Sequence, residues 1–341
     1  MVDRRTVLAG ALMLPIAAQA EERWDAIVDP RTGTLCKALE AAAAAGGRPF
    51  RIFVREGVLV EKLTIAVPNV TIVGSGRGTV LNFGTYAGLK HPDGNNWGTG
   101  RTGTLTIAAP GTTLRNLTIR NSFDYIGARR DNAGNGAQAV ALVIGREADR
   151  TLVERCWLEG YQDTLYVQSR SRIADCRIVG GVDFIFGGAA TWFEGCEIVT
   201  RFVPGATEFG FLTAPSTPLE QDYGLVFSRC RLRHERGVPA RSVWLGRPWR
   251  AGGNMALTGQ SVFLNCWMDA HIRREGWTWM GYKGPDGEPR RLIPQEARLF
   301  EYASYGPGAG PASATRRMLS VADAAKFTRA NVLGDWDGFS R

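Results

Sequence analysis

The chain has 341 residues, of which 44% are hydrophobic and 22% are charged. This composition supports a large buried core and excludes global disorder. Glycine is frequent, at 42 residues, but it is spread along the chain, which excludes a collagen-like or linker-like sequence. Lysine and arginine exceed aspartate and glutamate by 41 − 33 = 8, and this positive charge suits a polyanion such as a nucleic acid, a phospholipid surface or an acidic polysaccharide.

The first twenty residues have the composition of an export signal. Arg4 and Arg5 form a charged start, residues 7–17 are apolar, and small residues precede a cleavage position after about Ala20. The apolar stretch is too short to span a membrane, and a buried N-terminal helix is the alternative. We therefore expect residues 1–20 to be removed on export, to the periplasm or the medium, and residues 21–341 to form one domain.

Cysteines mark a repeat of twenty residues. Cys156, Cys176 and Cys196 are evenly spaced, and the segments LVERCWLEG, RIADCRIVG and TWFEGCEIV that contain them are alike. Apolar residues alternate with charged or large ones in these segments, which is typical of a strand with one buried face. Similar short strands occur at 69–74, 114–121, 225–232 and 262–268.

Short strands that recur every twenty residues or so, with glycine-rich turns between them, predict a stacked repeat fold. Twenty residues match one coil of an all-β, single-stranded right-handed parallel β-helix, and a β-sandwich is the alternative. The alanine-rich segment 34–45 predicts a helix that could cap the open end of the stack. The segment Ser320 to Arg329 predicts a short C-terminal helix with Ser320 as its N-cap.

The same period places two aspartates in register. Asp163 follows Cys156 by seven residues, and Asp183 follows Cys176 by seven residues. Because adjacent coils lie about 4.8 Å apart, the two carboxylates would be close, and one should have a raised pKa and act as an acid while the other stays charged. Aromatic residues flank both aspartates, which suits a sugar-binding cleft. Two solvated turn aspartates that happen to align are the alternative.

Other common catalytic chemistries lack their residues here. The chain has three histidines, far apart at positions 91, 234 and 271, and it has no C-x-x-C pair, so metal-ligand spacing is absent. It also has no G-x-S-x-G motif, which argues against a serine hydrolase. We therefore expect neither a metal ion nor a cofactor.

Four motifs, in this order, resemble those of the pectin methylesterases: QAVAL (138–142), GYQDTLY (160–166), GGVDFIFG (180–187) and LGRPW (245–249). Further segments resemble the secreted bacterial branch of that family: GFLTAPST (210–217), YGLVF (223–227) and GVPARS (237–242). The resemblance extends from about residue 50 to residue 300. One departure is GVLVE (57–61), where Leu59 occupies the position of a family tyrosine and puts a local supporting contact in question.

The resemblance implies a right-handed parallel β-helix that removes the C6 methyl ester from galacturonate units of pectin, giving methanol and pectate, without metal or cofactor. It implies that Asp183 is the nucleophile and that Arg247 orients it. Asp163 would protonate the departing methanol and then act as the base that activates water. Gln138 and Gln162 would stabilise the oxyanion, although a buried polar ladder between coils is the alternative for both.

The resemblance also implies a set of substrate contacts. The implied substrate-binding residues are Trp249, Tyr166, Phe186, Thr99 and Met280. Trp249 could stack on a sugar face, or it could pack on Pro248 in a rigid surface turn. Tyr166 and Phe186 could equally be core residues, and Met280 could be ordinary packing.

Cys176 and Cys196 would lie on adjacent coils, close enough for a disulfide, and some relatives in the family pair these positions. A column of buried free thiols is the alternative. The expected partner is methyl-esterified pectin, with no nucleic acid and no membrane, and the expected oligomeric state is a monomer. Alternative functions are a β-helix pectin lyase, a polygalacturonase with paired aspartates and an inactive carbohydrate-binding β-helix.

Overall fold

The computed structural model describes residues 23–130, 136–206 and 210–339, and short strands follow one another through most of these ranges. The predicted export signal at residues 1–20 lies outside the described residues. The longest described helix has ten residues. Among the described residues, none of the helices combines the length and the apolar character needed to cross a membrane.

The strands, in chain order, are β1 (Ala26–Val28), β2 (Phe50–Val54), β3 (Gly57–Val60), β4 (Leu63–Ile65), β5 (Val70–Gly74), β6 (Thr79–Phe83), β7 (Leu105–Ile107), β8 (Thr113–Arg115), β9 (Thr118–Asn121), β10 (Leu142–Ile144), β11 (Thr151–Glu154), β12 (Trp157–Glu159), β13 (Leu165–Val167), β14 (Ser171–Ala174), β15 (Arg177–Gly180), β16 (Val182–Gly187), β17 (Thr191–Glu194), β18 (Glu197–Thr200), β19 (Phe211–Pro215), β20 (Leu225–Ser228), β21 (Arg231–His234), β22 (Trp244–Gly246), β23 (Gln260–Leu264), β24 (Trp267–Met268), β25 (Met280–Lys283), β26 (Pro289–Leu292) and β27 (Arg298–Tyr302). The helices are α1 (Leu35–Ala44), α2 (Tyr125–Arg130), α3 (Val321–Ala324) and α4 (Arg329–Leu333), and 3₁₀ turns occur at Thr99–Arg101, Ala251–Gly253 and Pro294–Glu296.

The strands form three parallel sheets that the chain visits in rotation. A ten-stranded sheet has the order β1-β2-β5-β8-β11-β14-β17-β20-β23-β27, an eight-stranded sheet runs from β24 to β3, and a seven-stranded sheet runs from β22 to β4. From β2 to β22 the chain enters the ten-stranded, the eight-stranded and the seven-stranded sheet in turn. This is the predicted right-handed parallel β-helix. The only antiparallel sheet among the described residues is the hairpin β25–β26, which rules out a β-sandwich.

The twenty-residue period corresponds to one coil. Thr151 pairs with Ser171, and Ser171 pairs with Thr191. Later coils carry longer turns, since Leu225 of the ten-stranded sheet pairs with Ser261. The largest apolar cluster is a core that runs along the whole stack, and each strand of the coils from β2 to β23 contributes inward-pointing residues to it. Part of this core is a row of stacked rings, with centroids 4.3 Å apart for Phe193 and Phe227 and 4.5 Å apart for Phe227 and Phe263.

A repeated corner explains the evenly spaced cysteines. Each of Cys156, Cys176, Cys196, Cys230 and Cys266 is buried just after a residue with positive φ, which turns the chain from the ten-stranded into the eight-stranded sheet. The Sγ atom of Cys176 donates to the carbonyl of Ala174 at 3.2 Å, and the Sγ atom of Cys196 donates to the carbonyl of Ile173 at 3.3 Å. Both cysteines are free thiols in the structure.

The predicted N-terminal helix is α1, and it covers the end of the coil stack. Thr34 is its N-cap, and its buried face packs against β1 and β2. The Glu61 carboxylate accepts hydrogen bonds from the backbone nitrogens of Leu35 and Cys36, which anchors the start of the helix. Leu59, two residues earlier, is 5% exposed and packs in the core, so an apolar side chain fits this position.

The predicted C-terminal helix at residues 320–329 is wrong in its extent. Ser320 is the N-cap of a helix, as expected, but α3 ends at Ala324. A second helix, α4, begins after Thr328, whose Oγ1 accepts a hydrogen bond from the Asn331 nitrogen at 3.1 Å. This second cap starts a new helix instead of extending the first. The segment after it packs Val332 and Trp336 on the outer face of the ten-stranded sheet.

The ring stack in the core allows a direct test of the fold. Phe227 is fully buried between two other phenylalanine rings, so Phe227→Ala should lower the free energy of unfolding by about 3–5 kcal/mol. The measurement is urea unfolding followed by tryptophan fluorescence. Val58→Ala, at a side chain that is 57% exposed, is the control and should change stability by less than about 0.5 kcal/mol. Equal stabilities of the two variants would contradict this packing.

Candidate active site

Asp163 and Asp183 occupy equivalent positions on adjacent coils. Gln162 pairs with Val182 just before them, and Leu165 pairs with Ile185 just after them. Both aspartates have positive φ, 64° for Asp163 and 49° for Asp183, and each is 8% exposed. The left-handed conformation costs free energy for a residue other than glycine, and such strain is typical of functional sites. The structure therefore brings together the two carboxyl groups that the twenty-residue period predicts to be neighbours.

A β-bulge next to Asp183 shifts the register towards the following coil. Val182 pairs with Phe211 and Ile185 pairs with Thr213, so two residues of β16 lie opposite one residue of β19. Phe184 is fully buried within the core, while Asp183 lies at the edge of β16. A bulge of this kind redirects a side chain from its ordinary direction, and here it separates the carboxyl group from the core.

Arg247 reaches Asp183 from two coils away. It follows β22, which pairs with β19, and β19 pairs with β16. Its Nε donates to Asp183 Oδ1 at 3.0 Å, and its Nη2 donates to Asp183 Oδ2 at 2.7 Å. This paired geometry holds both carboxylate oxygens and favours the ionised form of Asp183. The predicted contact between Arg247 and Asp183 is therefore present.

The two carboxyl groups differ in how strongly their surroundings oppose ionisation. Burial, together with the charge of Asp183, raises the pKa of Asp163 well above its ordinary value, and the more distant charge of Arg247 opposes this rise. Burial also raises the pKa of Asp183, but the hydrogen bonds from Arg247 act against it. Ionisation is therefore opposed more strongly at Asp163, and Asp183 is the group better suited to carry negative charge.

Gln162 directly precedes Asp163 on the same coil, and Gln138 lies on the coil before it. Gln138 comes before β10 and Gln162 before β13, and the nitrogen of Ala139 donates to the Gln162 carbonyl at 3.1 Å. Both side chains are half-buried. Neither side-chain amide hydrogen-bonds to another residue in the described part of the chain, so the polar ladder weighed for them is not formed there. Their NH groups are free to donate to a ligand.

The predicted aromatic residues form one cluster beside the carboxyl pair. The rings of Tyr166 and Phe186 stack at 4.2 Å and 8°, and Trp249 lies 5.9 Å from Phe186. Met280 packs against the same cluster. Phe186 is only 3% exposed, so it supports the cluster from below, as the core alternative holds, while Tyr166 and Trp249 are half-buried.

Thr99 also borders this cluster. It begins the 3₁₀ turn Thr99–Arg101, and a Cβ atom placed on the next residue, Gly100, would lie 3.9 Å from Tyr166 Cε1. Tyr166, Phe186, Trp249 and Met280 therefore lie in one cluster, and Thr99 precedes a glycine that lies near the Tyr166 ring.

Sequence reasoning missed Phe211. The Cζ atom of Arg247 lies 3.8 Å from the centroid of the Phe211 ring. The motif GFLTAPST contains this phenylalanine, but nothing in its alternation or spacing distinguishes it from a core residue. Only the path of Arg247 across an intervening coil reveals its position beneath the guanidinium.

The site combines a carboxyl group with a raised pKa, a second carboxyl group held by an arginine, two unoccupied amide donors and an aromatic surface. In residues 23–130, 136–206 and 210–339, no group of three or more histidine, cysteine, aspartate or glutamate side chains is arranged to hold a metal ion. Fold and site together define a parallel β-helix with a paired-carboxyl site, an arrangement that suits nucleophilic and acid–base chemistry.

Comparison with known proteins gives the family. The pectinesterase family model matches residues 29–335. Pectinesterase A of Dickeya chrysanthemi is 42% identical, with 96% of each chain covered. Pectin methylesterase PemA from Erwinia chrysanthemi superposes with a TM-score of 0.88 at 39% identity, covering 94% of this chain and all of that one. A pectin methylesterase in complex with a hexasaccharide has the same TM-score and identity, covering 93% of this chain and 99% of that one.

The chain belongs to the pectinesterase family. Its membership agrees with the motifs QAVAL, GYQDTLY, GGVDFIFG and LGRPW, each of which contributes a residue to the site described above.

The raised pKa of Asp163 has a consequence for stability. At a pH below the ordinary carboxyl value both the folded and the unfolded chain keep this proton; at higher pH the unfolded chain releases it first, and the folded state loses stability. Asp163→Asn removes this penalty, so the variant should gain stability over the wild type at pH 7 relative to pH 3. Thermal unfolding at both pH values measures the difference.

The matched control for this stability test is Glu220→Gln, which neutralises an exposed carboxylate. Its stability difference from the wild type should be the same at both pH values. A gain for Asp163→Asn that does not depend on pH would contradict the protonated state of Asp163.

Proposed function

We propose that this chain is a pectin methylesterase, which hydrolyses the C6 methyl ester of galacturonate units in pectin to give methanol and a free carboxylate. The observation that carries the proposal is the register of Asp163 with Asp183 and the paired hydrogen bonds of Arg247 to Asp183. Membership of the pectinesterase family supports the same reaction.

The first half of the reaction is attack by Asp183. Its carboxylate, which Arg247 keeps ionised and oriented, adds to the ester carbonyl carbon. The amide groups of Gln138 and Gln162 donate hydrogen bonds to the oxyanion that forms. The C–O bond to the methoxy group then breaks, and the proton of Asp163 passes to the departing methanol. The product is an anhydride between Asp183 and the galacturonyl group.

The second half is hydrolysis of this acyl-enzyme. Asp163 is now ionised and takes a proton from a water molecule, which attacks the galacturonyl carbonyl carbon. The bond to Asp183 breaks, the sugar leaves as a carboxylic acid that releases its proton to the solvent, and both aspartates return to their starting protonation states. The elevated pKa of Asp163 suits both roles, because the group must donate a proton and later accept one near neutral pH.

Tyr166 and Trp249 provide half-buried aromatic surface for the sugar rings, and Phe186 and Met280 support them from the packed side of the cluster. Thr99 lies in the turn at the border of the same cluster. A family relative is described in complex with a hexasaccharide, which is consistent with an extended binding surface. The net charge of +8 favours approach to a polymer whose products are anionic.

We further infer that the chain is exported by its N-terminal segment, with cleavage after about Ala20, and that it acts as a monomer in the periplasm or the medium. The arginines at positions 4 and 5 and the apolar stretch that follows support the export. The proposed substrate is a polymer that lies outside the cell that produces the enzyme. Mass spectrometry of the exported protein would establish the new N-terminus.

One assay separates this function from its alternatives. Highly esterified pectin should release methanol in the presence of the enzyme, at the same rate with and without EDTA and without loss of viscosity. Products that absorb in the ultraviolet would indicate a lyase, falling viscosity would indicate a polygalacturonase, and no reaction would indicate a carbohydrate-binding protein. Any of these three results would overturn the proposal.

Asp183→Ala should reduce methanol release by at least about a thousandfold, because the attacking group is absent. The far-ultraviolet circular dichroism spectrum should stay that of the folded protein. The control is Glu220→Ala, at an exposed carboxylate, which should retain full activity. Turnover of Asp183→Ala at the wild-type rate would refute the assignment of the nucleophile.

Gln138→Ala and Gln162→Ala should each lower kcat by about 10²–10³-fold, since each removes one donor to the oxyanion. KM for esterified pectin should change much less, because the charge that these amides stabilise exists only in the transition state. Gln295→Ala, at an exposed glutamine in the turn Pro294–Glu296, is the matched control and should leave kcat unchanged. A loss that appears only in KM would assign the two glutamines to substrate binding.

A further inference from the structure

Arg247 has to cross one coil to reach Asp183. In the seven-stranded sheet, Arg247 follows β22 and Asp183 belongs to β16, and β19 lies between these two strands. Adjacent coils are separated by about 4.8 Å, so the guanidinium must extend over a side chain of β19. Phe211, the first residue of β19, pairs with Val182 on one side and with Trp244 on the other, so it lies on this path.

The Phe211 ring lies face to face with the guanidinium. The Cζ atom of Arg247 is 3.8 Å from the ring centroid, well within the range of about 6 Å for a cation–π contact. The same guanidinium donates from Nε and Nη2 to Asp183. The same guanidinium therefore contacts the aromatic ring and binds the carboxylate.

The backbone holds Phe211 in place on both sides. Its nitrogen donates to the Gly181 carbonyl at 3.1 Å, and the nitrogen of Trp244 donates to the Gly210 carbonyl at 3.1 Å. Phe211 is half-buried, and it belongs to none of the apolar clusters formed by the described residues. Its ring thus contributes little to the core, while its position is fixed by strand pairing.

We propose that Phe211 is a positioning residue that holds the Arg247 guanidinium in the plane from which it binds both carboxylate oxygens of Asp183. The ring attracts the cation, limits its rotation and shields its face from water. Without the ring, Arg247 would sample other orientations and Asp183 would lose part of its charge stabilisation. The kinetic consequence rests on the proposed esterase function, whereas the contact itself does not.

The pKa of Asp183 is the quantity that reports on this positioning. Arg247 is the charged group that acts on Asp183, whereas Asp183 and Arg247 both act on Asp163. If the Phe211 ring holds Arg247 in place, a weaker cation–π attraction must weaken the hydrogen bonds from Arg247 to Asp183. The pKa of Asp183 must then rise, because less positive charge stabilises its ionised form. The acid limb of the kcat/KM profile, which reports the ionisation of the nucleophile, should move to higher pH in parallel.

The experiment replaces Phe211 by mono-, di- and trifluorinated phenylalanine, which keep the shape of the ring and progressively weaken its attraction for a cation. The Asp183 carboxyl is titrated by ¹³C NMR, with Asp183→Asn used to assign its resonance, and methanol release is measured against pH. We expect the Asp183 pKa and the acid limb to rise with each fluorine. Phe211→Leu, which has no aromatic ring, should raise the Asp183 pKa most. Its kcat/KM should be about tenfold below that of the wild type at pH values below the Asp183 pKa. Phe211→Tyr, which keeps the ring, should have the wild-type profile.

The matched control is the same fluorinated series at Phe53, a half-buried phenylalanine of the ten-stranded sheet, which should leave both readouts unchanged. An Asp183 pKa that stays constant through the Phe211 series would overturn the positioning role, whether or not methanol is released. A pKa that rises with fluorination in a protein that releases no methanol would keep the positioning role and refute the proposed function instead.

Discussion

The vertical register of the coils is the constraint on which the rest of the structure depends. Backbone pairing of Leu165 with Ile185, and of Gln162 with Val182, places two carboxyl groups side by side without any direct bond between them. The apolar column below, which includes the evenly spaced cysteines, fixes this register because a shift by one residue would turn every buried side chain outward. The catalytic geometry is therefore set by the packing of the core.

This register creates an electrostatic conflict that a single arginine resolves. Two buried carboxyl groups on adjacent coils cannot both ionise at low cost. Arg247 binds one of them with two hydrogen bonds and leaves the other without such a partner, so ionisation is opposed more strongly at Asp163 than at Asp183. Which carboxyl group is better suited to carry charge follows from which one the guanidinium reaches. On its way to Asp183 the guanidinium lies over the ring of Phe211 in the coil between.

Much of the fold could be predicted because the middle of the chain is regular. The spacing of Cys156, Cys176 and Cys196 corresponds to one coil each, and the same spacing aligned Asp163 with Asp183. The contact of Arg247 could not be derived in this way, because the coils after residue 200 have turns of unequal length, and only the resemblance of LGRPW to a family motif indicated it. The position of Phe211 could not be derived from the period either. A β-bulge beside Asp183 shifts the register between β16 and β19, and the sequence carries no periodic signal for it. The C-terminal helix was misjudged because a second capping residue, Thr328, interrupts a pattern that otherwise favours one helix.

The register couples the two carboxyl groups electrostatically. A ¹³C NMR titration of Asp163 in the wild type and in Asp183→Asn tests it most directly. If the charge on Asp183 opposes the ionisation of Asp163, the pKa of Asp163 should lie well above its ordinary value in the wild type and fall when residue 183 is neutral. An Asp163 pKa that is ordinary in the wild type, or that is the same in both proteins, would contradict the account.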